Sequence, residues 1–535
     1  MKIPLLWQTR QTRAAGRNPY VGFGAGASQG AVCAATVACS CFLRPHPVGA
    51  KLREHLVMGL KPKSSPAKGE FLFEIDPEPL EECVTALGGI PLFVRAVRSL
   101  DVGGSVERNL HLKQRQRGFD EATYVESFLV LNAVGGDCLE DFDRLQEDAG
   151  LEEMLGHAVP GAEAARKFLY QFHDEGKIEQ AQRELAVDQV SYIPEESVPL
   201  RALAQVNQDV IRELGRRCVE QKIATVDLDA TIIESWKQEA KATYEGTRGY
   251  QPQLALWAEM NIVLADEFRD GNVPAQQAPL AVAQRAYQAL PETVREFYFR
   301  GDSACYEEGL LSWLRNEKRP DGPEGFIGFA VSARMNPILR EEIVATEEKR
   351  WQLYAEDSTV IKECAPVDYF PEETAANRYG EPLRYVAIRI RRKQGELFAD
   401  GSTWKYFAVA TNLWEWMPKK LLQWHREKAG CIEAAHDVIK NELAGGVMPC
   451  GRFGANAAWF RLAVLSYNVL TALKRLALPA ELLTARPKRL RFLIFHTPGK
   501  LVHHARQIML RLGQSMSRFR NWAGALKAMP LPVET

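Results

Sequence analysis

The stretch Ile223-Ala-Thr-Val-Asp-Leu-Asp-Ala-Thr-Ile-Ile233 decides how the rest of the chain is read. It is apolar and β-branched over most of its length, which predicts a core strand, and Asp227 and Asp229 stand two apart on it. Strand side chains alternate between faces, so both carboxylates fall on the same face. Two buried like charges repel, and without a cation one of them tends to take up a proton. The pair therefore invites a divalent metal bound through hard oxygen ligands.

Residues 254–259 and 262–268 read as a following hairpin, and residues 278–290 as a helix. Residues 297–300 form a short strand ending at Gly301-Asp302, so Asp302 projects from a strand end, where α/β proteins place their sites. A helix with Tyr306, Leu310, Trp313 and Leu314 leads to an apolar strand at 326–331. Three strands, then helix, strand, helix, strand, predict a mixed α/β layer, not the strict alternation of a doubly wound dinucleotide fold. Between 336 and 417 the texture changes to a β-rich insertion, with strands at 383–390 and 405–410 beside Gln394-Gly395 and Asp400-Gly401 turns. Residues 420–443 are helical again and carry Glu433, with Lys440 two helical turns further on the same face. A second apolar helix covers 457–476. Each acid also has a plain structural explanation: Asp302 as a helix cap, Glu433 paired with Lys440 or Arg426, Asp227 or Asp229 bonded to a neighbouring loop.

Upstream, Asp120 is a candidate N-cap for a helix with Tyr124, Val125, Phe128, Leu129 and Leu131, opening a helical domain assigned to 66–190. The Pro194 segment marks its boundary. Residues 21–43 are uncharged but rich in Gly, Ala, Ser and Thr, too weakly apolar for a spanning helix. They match dinucleotide-loop and nucleophile-elbow patterns only by composition, so residues 1–65 are expected to be a poorly ordered leader. From Lys474 onward the chain is basic, and Phe492, Phe495, Phe519 and Trp522 interleave with its cations. Segment 477–535 thus reads either as a phosphate-contacting, base-stacking tail or as an amphipathic helix with solvated cations.

Composition bounds the rest. Over 535 residues, 46% hydrophobic and 25% charged content describes a folded globular chain of several domains. Lys and Arg total 67 against 68 Asp and Glu, so any polyanion-binding surface is local. Ten scattered cysteines without a C-x-x-C motif fit a reducing cytoplasm and argue against zinc ribbons or a disulfide framework.

Three motifs resemble those of one family: Asp-Leu-Asp-Ala-Thr at 227–231, Phe-Arg-Gly-Asp-Ser at 299–303, and Arg-Glu-Lys-Ala-Gly-Cys-Ile-Glu at 426–433. Gly-Tyr-Gln-Pro at 249–252 and Arg-Phe-Gly-Ala-Asn-Ala-Ala at 452–458 support them. Over residues 119–512 the chain resembles the DDE group 1 insertion-sequence transposases, which implies an α/β fold with an RNase H-like catalytic core. The core would comprise 191–335 and 418–476, with the β-rich insertion at 336–417 helping to hold the cleaved end and the helical N-terminal domain binding DNA ends. The resemblance implies that Asp229, Asp302 and Glu433 are the catalytic, metal-holding acids, with Asp227 the alternative to Asp229. It implies that Lys440 contacts transposon-end DNA. Family members usually have Tyr and Arg seven and four places before the Glu; here Arg426 and Ala429 stand there, with His425 and Lys428 as substitutes. Arg489 and Arg491 of the basic segment complete the candidate DNA contacts. Also implied are two Mg²⁺ or Mn²⁺ ions, inverted-repeat and target duplex DNA as partners, a homodimeric synaptic complex, and a nucleoid-associated cytoplasmic protein without membrane contact.

Two other readings remain open at this level. Asp227-Leu228-Asp229 also matches the D-x-D of a metal-dependent glycosyltransferase, and a third reading is an inactive DNA-binding remnant of a transposase, against which the retention of all three acids counts.

Overall fold

The computed structural model describes residues 82–513 except 114–116, 187–188, 372–381 and 396, together with Glu78 and a few residues near the C-terminus. The expectation for residues 1–65 lies outside the described residues, as do Phe519 and Trp522. Residues 80–535 belong to one compact unit.

Its centre is a nine-stranded mixed sheet. Helix α1 (Val198–Arg217) leads into β1 (Ile223–Ala230), β2 (Gln253–Trp257) and β3 (Ile262–Glu267). Then follow α2 (Pro279–Ala289), β4 (Glu296–Gly301) and β5 (Ile327–Ser332). Strand β2 runs antiparallel to both β1 and β3, whereas β4 is parallel to β1 and β5 parallel to β4. The spatial order β3-β2-β1-β4-β5 is the RNase H-like arrangement the sequence implied. Burial explains why these segments are strands: β2 and β3 are buried along their whole length, and β1 from Ala224 to Leu228, so near-continuous apolar runs pay no exposure penalty.

The insertion is not a separate body. Its strands β6 (Gln352–Glu356), β7 (Val360–Val367), β8 (Arg384–Arg392) and β9 (Trp404–Thr411) continue the same sheet, β9 pairing antiparallel with β5 through Ala410 and Val331. Strands β6 and β7 were not apparent in the sequence, because Gln352-Leu-Tyr-Ala-Glu and Lys362-Glu363 break the apolar alternation. The chain then enters α3 (Pro418–Glu442) and α4 (Phe453–Ala477).

Helix α4 is buried on all sides from Gly454 to Lys474, as expected of a helix enclosed by other elements. It packs on α1, on β3 and on the N-terminal helices, whose Glu121–Val134 member is capped by Asp120 as the sequence predicted. The Asn132 amide donates to Ser466 Oγ at 3.0 Å, and the Phe128 ring meets Trp459 edge-on. Helix α4 also closes the free edge of β3. The Val263 N–H donates to Asn468 Oδ1 and Asn468 Nδ2 donates to the Val263 carbonyl, both at 2.8 Å, while Arg461 bonds Asp266 at 3.0 Å and Glu196 at 2.7 Å. Side chains thus supply the partners a further strand would have given.

The segment after α4 is neither a long amphipathic helix nor, where described, a free basic tail. Gly499–His504 and Gln507–Leu512 form a hairpin that pairs with Val84–Thr85, joining the two ends of the described chain in a second small sheet. Several of its cations fasten the structure: Arg486 bonds Asp437 and Glu442, Lys500 bonds Glu82, and Lys474 is buried against the Ala485 carbonyl. No helix among the described residues is long and apolar enough to cross a membrane.

Candidate active site

Parallel pairing of β1 with β4 sets Asp227 opposite Arg300 and Leu228 opposite Gly301. One step further along both strands stand Asp229 and Asp302, side by side at the strand ends. Gly301 is required at this approach, because a Cβ there would run into the Cys305 side chain. Asp302 itself caps a short 3₁₀ turn, its Oδ1 accepting from the Ala304 N–H at 2.9 Å. This bond engages one carboxylate oxygen and leaves Asp302 half-buried beside Asp229.

Asp227 and Asp229 share a face, as the strand period requires, but their surroundings separate them. Asp227 is fully buried and held by both arms of the Arg300 guanidinium, Nε to Oδ1 at 2.6 Å and Nη2 to Oδ2 at 2.9 Å. Burial pushes the Asp227 carboxyl up and the guanidinium pulls it down; the bidentate pair is the stronger guide to its state, an ionised carboxylate. Arg300 in turn donates to the Trp424 carbonyl at 2.7 Å and lies over the Trp424 ring, tying β4 to α3. Asp229 is only partly buried and has no such partner; its Oδ1 faces the Lys428 ammonium at 3.4 Å.

Helix α3 crosses over these strand ends and carries the third acid. Glu433 is exposed on it, five residues after the buried Lys428. Burial pushes the Asp302 carboxyl up; Lys428 draws it down and Asp229 adds repulsion. Glu433 is raised by burial and then by Asp229, again opposed by Lys428. Asp229 and Lys428 thus act on both Asp302 and Glu433. The three carboxylates are more widely spread than a closed one-ion cage: among the described residues, only Asp137, Cys138 and Asp141 have possible ligand atoms all within 4.8 Å of one another. There, Asp141 is already used in the local turn, accepting from the Asp137 and Cys138 N–H groups.

The sequence profile of the family described as Transposase DDE domain group 1 matches residues 82–530. The chain belongs to the DDE group 1 transposase family. Among solved structures it is similar to a piggyBac transposase in a synaptic complex with hairpin DNA, at 12% identity and a TM-score of 0.41, covering 75% of this chain and 78% of that one. No curated protein matches its sequence significantly.

Within this DDE domain the proposed DNA contacts divide. His425 is half-buried, its Nε2 3.0 Å from the Gly301 carbonyl, and desolvation holds its pKa down to about 4, so the ring is neutral and supports the β4 end. Lys428 faces the acids, not a solvent surface. Lys440 Nζ bonds Thr231 Oγ1 at 3.3 Å and the Ile232 carbonyl, pinning the turn after β1. Arg491 donates to the Ala133, Asn132 and Glu442 carbonyls and closes two helix C-termini. Each of these four side chains, expected from the sequence as a DNA contact, bonds or pairs with protein groups in this structure. Arg426 and Arg489 are exposed; Arg489 lies over the exposed Phe492 ring.

Sequence reasoning missed the Arg300 partner of Asp227 and the inward position of Lys428. The first had a signal: Arg300 interrupts an apolar core strand, and a buried guanidinium requires an acid in register. The second had none, since Lys428 sits in an ordinary charged helical run.

Proposed function

We propose that this chain is an active DNA transposase that cuts the ends of its element and joins the 3′ ends to target DNA, with Asp229, Asp302 and Glu433 as its catalytic acids. The observation that carries this reading is the meeting of Asp229 and Asp302 at adjacent parallel strand ends beneath the helix that bears Glu433, in a chain of the DDE family. The choice of Asp229 over Asp227 rests on the Arg300 pair, which occupies both Asp227 oxygens.

The donor set fits Mg²⁺ or Mn²⁺. It offers only carboxylate oxygens, and the mutual repulsion around Asp302 is what a hard divalent cation would relieve. Two such ions, bound by Asp229, Asp302 and Glu433, would supply Lewis acidity at the scissile phosphodiester and at the attacking hydroxyl. The protein's own contribution is placement. The β1–β4 ladder fixes the two aspartates, neutral His425 holds the Gly301 carbonyl, and Arg300 locks α3 to β4 so that Glu433 stays over the strand ends. Water and a DNA 3′-hydroxyl are alternative nucleophiles for the same site, so hydrolysis and strand transfer share it. Binding of duplex ends and target would draw on the helical region before residue 190, the extended sheet of the insertion and exposed cations such as Arg426 and Arg489, and would weaken steeply with salt. Handling two ends together calls for a homodimer.

The D-x-D reading of a glycosyltransferase fails on this geometry, because an Asp227 bound at both oxygens by Arg300 does not share a metal with Asp229. The deciding assay uses a labelled duplex with the element's own terminal repeat, in Mg²⁺ or Mn²⁺, comparing wild type with Asp302→Asn and Glu433→Gln. Metal-dependent nicking at the repeat boundary, lost in both variants, is expected. Undiminished nicking in either variant removes that residue from the site; binding with no nicking in any metal identifies a remnant.

A further inference from the structure

The acid cluster already has a cation built into the chain. Lys428 is 8% exposed, on the face of α3 that meets the strand ends, and its Nζ lies 3.4 Å from Asp229 Oδ1. The groups that face it come from two elements: Asp227 and Asp229 from β1, Asp302 and the neutral Cys305 thiol from the turn after β4. On its own helix it lies between the half-buried His425 and the buried His436, both depressed first by burial and both pushed down further by its charge, and both therefore neutral neighbours. A solvated surface lysine needs none of this, and a lysine contacting DNA would point outward.

We infer that Lys428 is the resident counter-ion of the Asp229–Asp302 pair and that a divalent ion enters the pair in exchange for its ammonium. The argument is one of space and charge. An ion bound at the usual 2.0–2.1 Å from an Asp229 oxygen would lie within a few ångströms of Nζ, where a divalent and a monovalent cation repel strongly in a partly desolvated site. The four-carbon stem of lysine lets the ammonium withdraw while its apolar part stays packed. Until that exchange, Lys428 sets a positive charge beside two half-buried, adjacent carboxylates, so the cluster has its counter-charge before it is loaded. The exchange would also set a threshold: divalent binding is weaker than the bare acids would give.

This rests on the assignment of Asp229 and Asp302 as metal-holding acids, and its test reads binding instead of cleavage. Calorimetric titration of the full chain with Mg²⁺ alone is compared for wild type, Lys428→Met and Lys428→Gln. The variants are expected to bind Mg²⁺ at least about tenfold more tightly, the effect of removing one nearby like charge. Their thermal midpoints should also rise more on adding Mg²⁺ than that of wild type. Equal or weaker binding in a folded variant overturns the exchange, as does Mg²⁺ bound by neither protein. A measurement on wild type alone covers a variant that fails to fold. Acetylation of Lys428 by acetic anhydride, read by mass spectrometry, should increase when saturating Mg²⁺ frees the amine, and unchanged labelling refutes the exchange. Asp302→Asn should abolish the Mg²⁺ effect on labelling. Exchange with no nicking of element-end DNA would leave this inference standing and remove the transposase reading.

Discussion

Asp227 and Asp229, two residues apart on one strand face, should respond oppositely to the same mild substitution. In Asp227→Asn the Arg300 guanidinium, 2% exposed, loses a partner bonded at 2.6 and 2.9 Å and is left as a buried charge. Removing one member of such a pair costs about 3–5 kcal/mol, a large share of the roughly 5–15 kcal/mol that holds a protein folded. With an unfolding entropy of about 2.1 cal/mol/K per residue over roughly 450 residues, 4 kcal/mol lowers the melting temperature by about 4 °C. Asp229→Asn takes one charge from a group of acids that share a single lysine, so lost attraction to Lys428 and relieved repulsion from Asp302 nearly cancel; its stability should stay within about 1 kcal/mol of wild type. Differential scanning calorimetry and urea unfolding measure the first quantity, and nicking of end DNA the second. Asp227→Asn should be destabilised yet retain metal-dependent nicking when folded, and Asp229→Asn should be stable and inactive. A stable, inactive Asp227→Asn beside an active Asp229→Asn would refute the reasoning.

Three further outcomes are expected. Arg491→Ala leaves the carbonyls of Asn132, Ala133 and Glu442 without their shared donor and should destabilise the fold by about 2–4 kcal/mol in urea unfolding, which marks Arg491 as structural. His425 and His436 are held at about 4 and about 3, below the ordinary value near 6.5, so the folded state prefers both rings neutral. Their stabilising contribution is complete above about pH 6.5 and is lost as pH falls toward 4, and a calorimetric pH series on His425→Asn should show a flatter decline over that window. Trp236 is 97% exposed in the loop after Ile233–Glu234, a short strand paired with Gly249-Tyr250, so Trp236→Ala should leave the melting temperature unchanged while weakening end-DNA binding several-fold, measured by fluorescence anisotropy.

The sequence carried the core of the fold because its strands are near-continuous apolar runs and its helices are capped and periodic; β1, the β2–β3 hairpin, β4, β5, α3 and α4 all lie where those patterns put them. It did not carry β6 and β7, which are held by the ladder β6-β7-β8 and not by their own alternation. Nor did it carry the destination of the basic segment, because an arginine looks alike in sequence whether it meets water, a phosphate or three backbone carbonyls. At the site, the positions of Asp229 and Asp302 were legible from strand periodicity and the strand end. The division of labour between Asp227 and Asp229 was not, since it is set by a cross-strand partner 73 residues away.

The closure of β3 by Asn468 and Arg461 also says where this architecture can accept new material. A sheet lengthens only at a margin with free donors and acceptors, and one margin has its hydrogen bonds answered by side chains of a buried helix. Added chain had a single side on which to lay strands, next to β5, and the four strands between β5 and α3 lie there. The addition sits in the sequence between the second and third acids, so lineages that vary its length would change the reach of the domain toward its DNA without disturbing the register of Asp229 and Asp302. Size differences among such proteins should therefore accumulate at that outer margin and leave the β3 side constant.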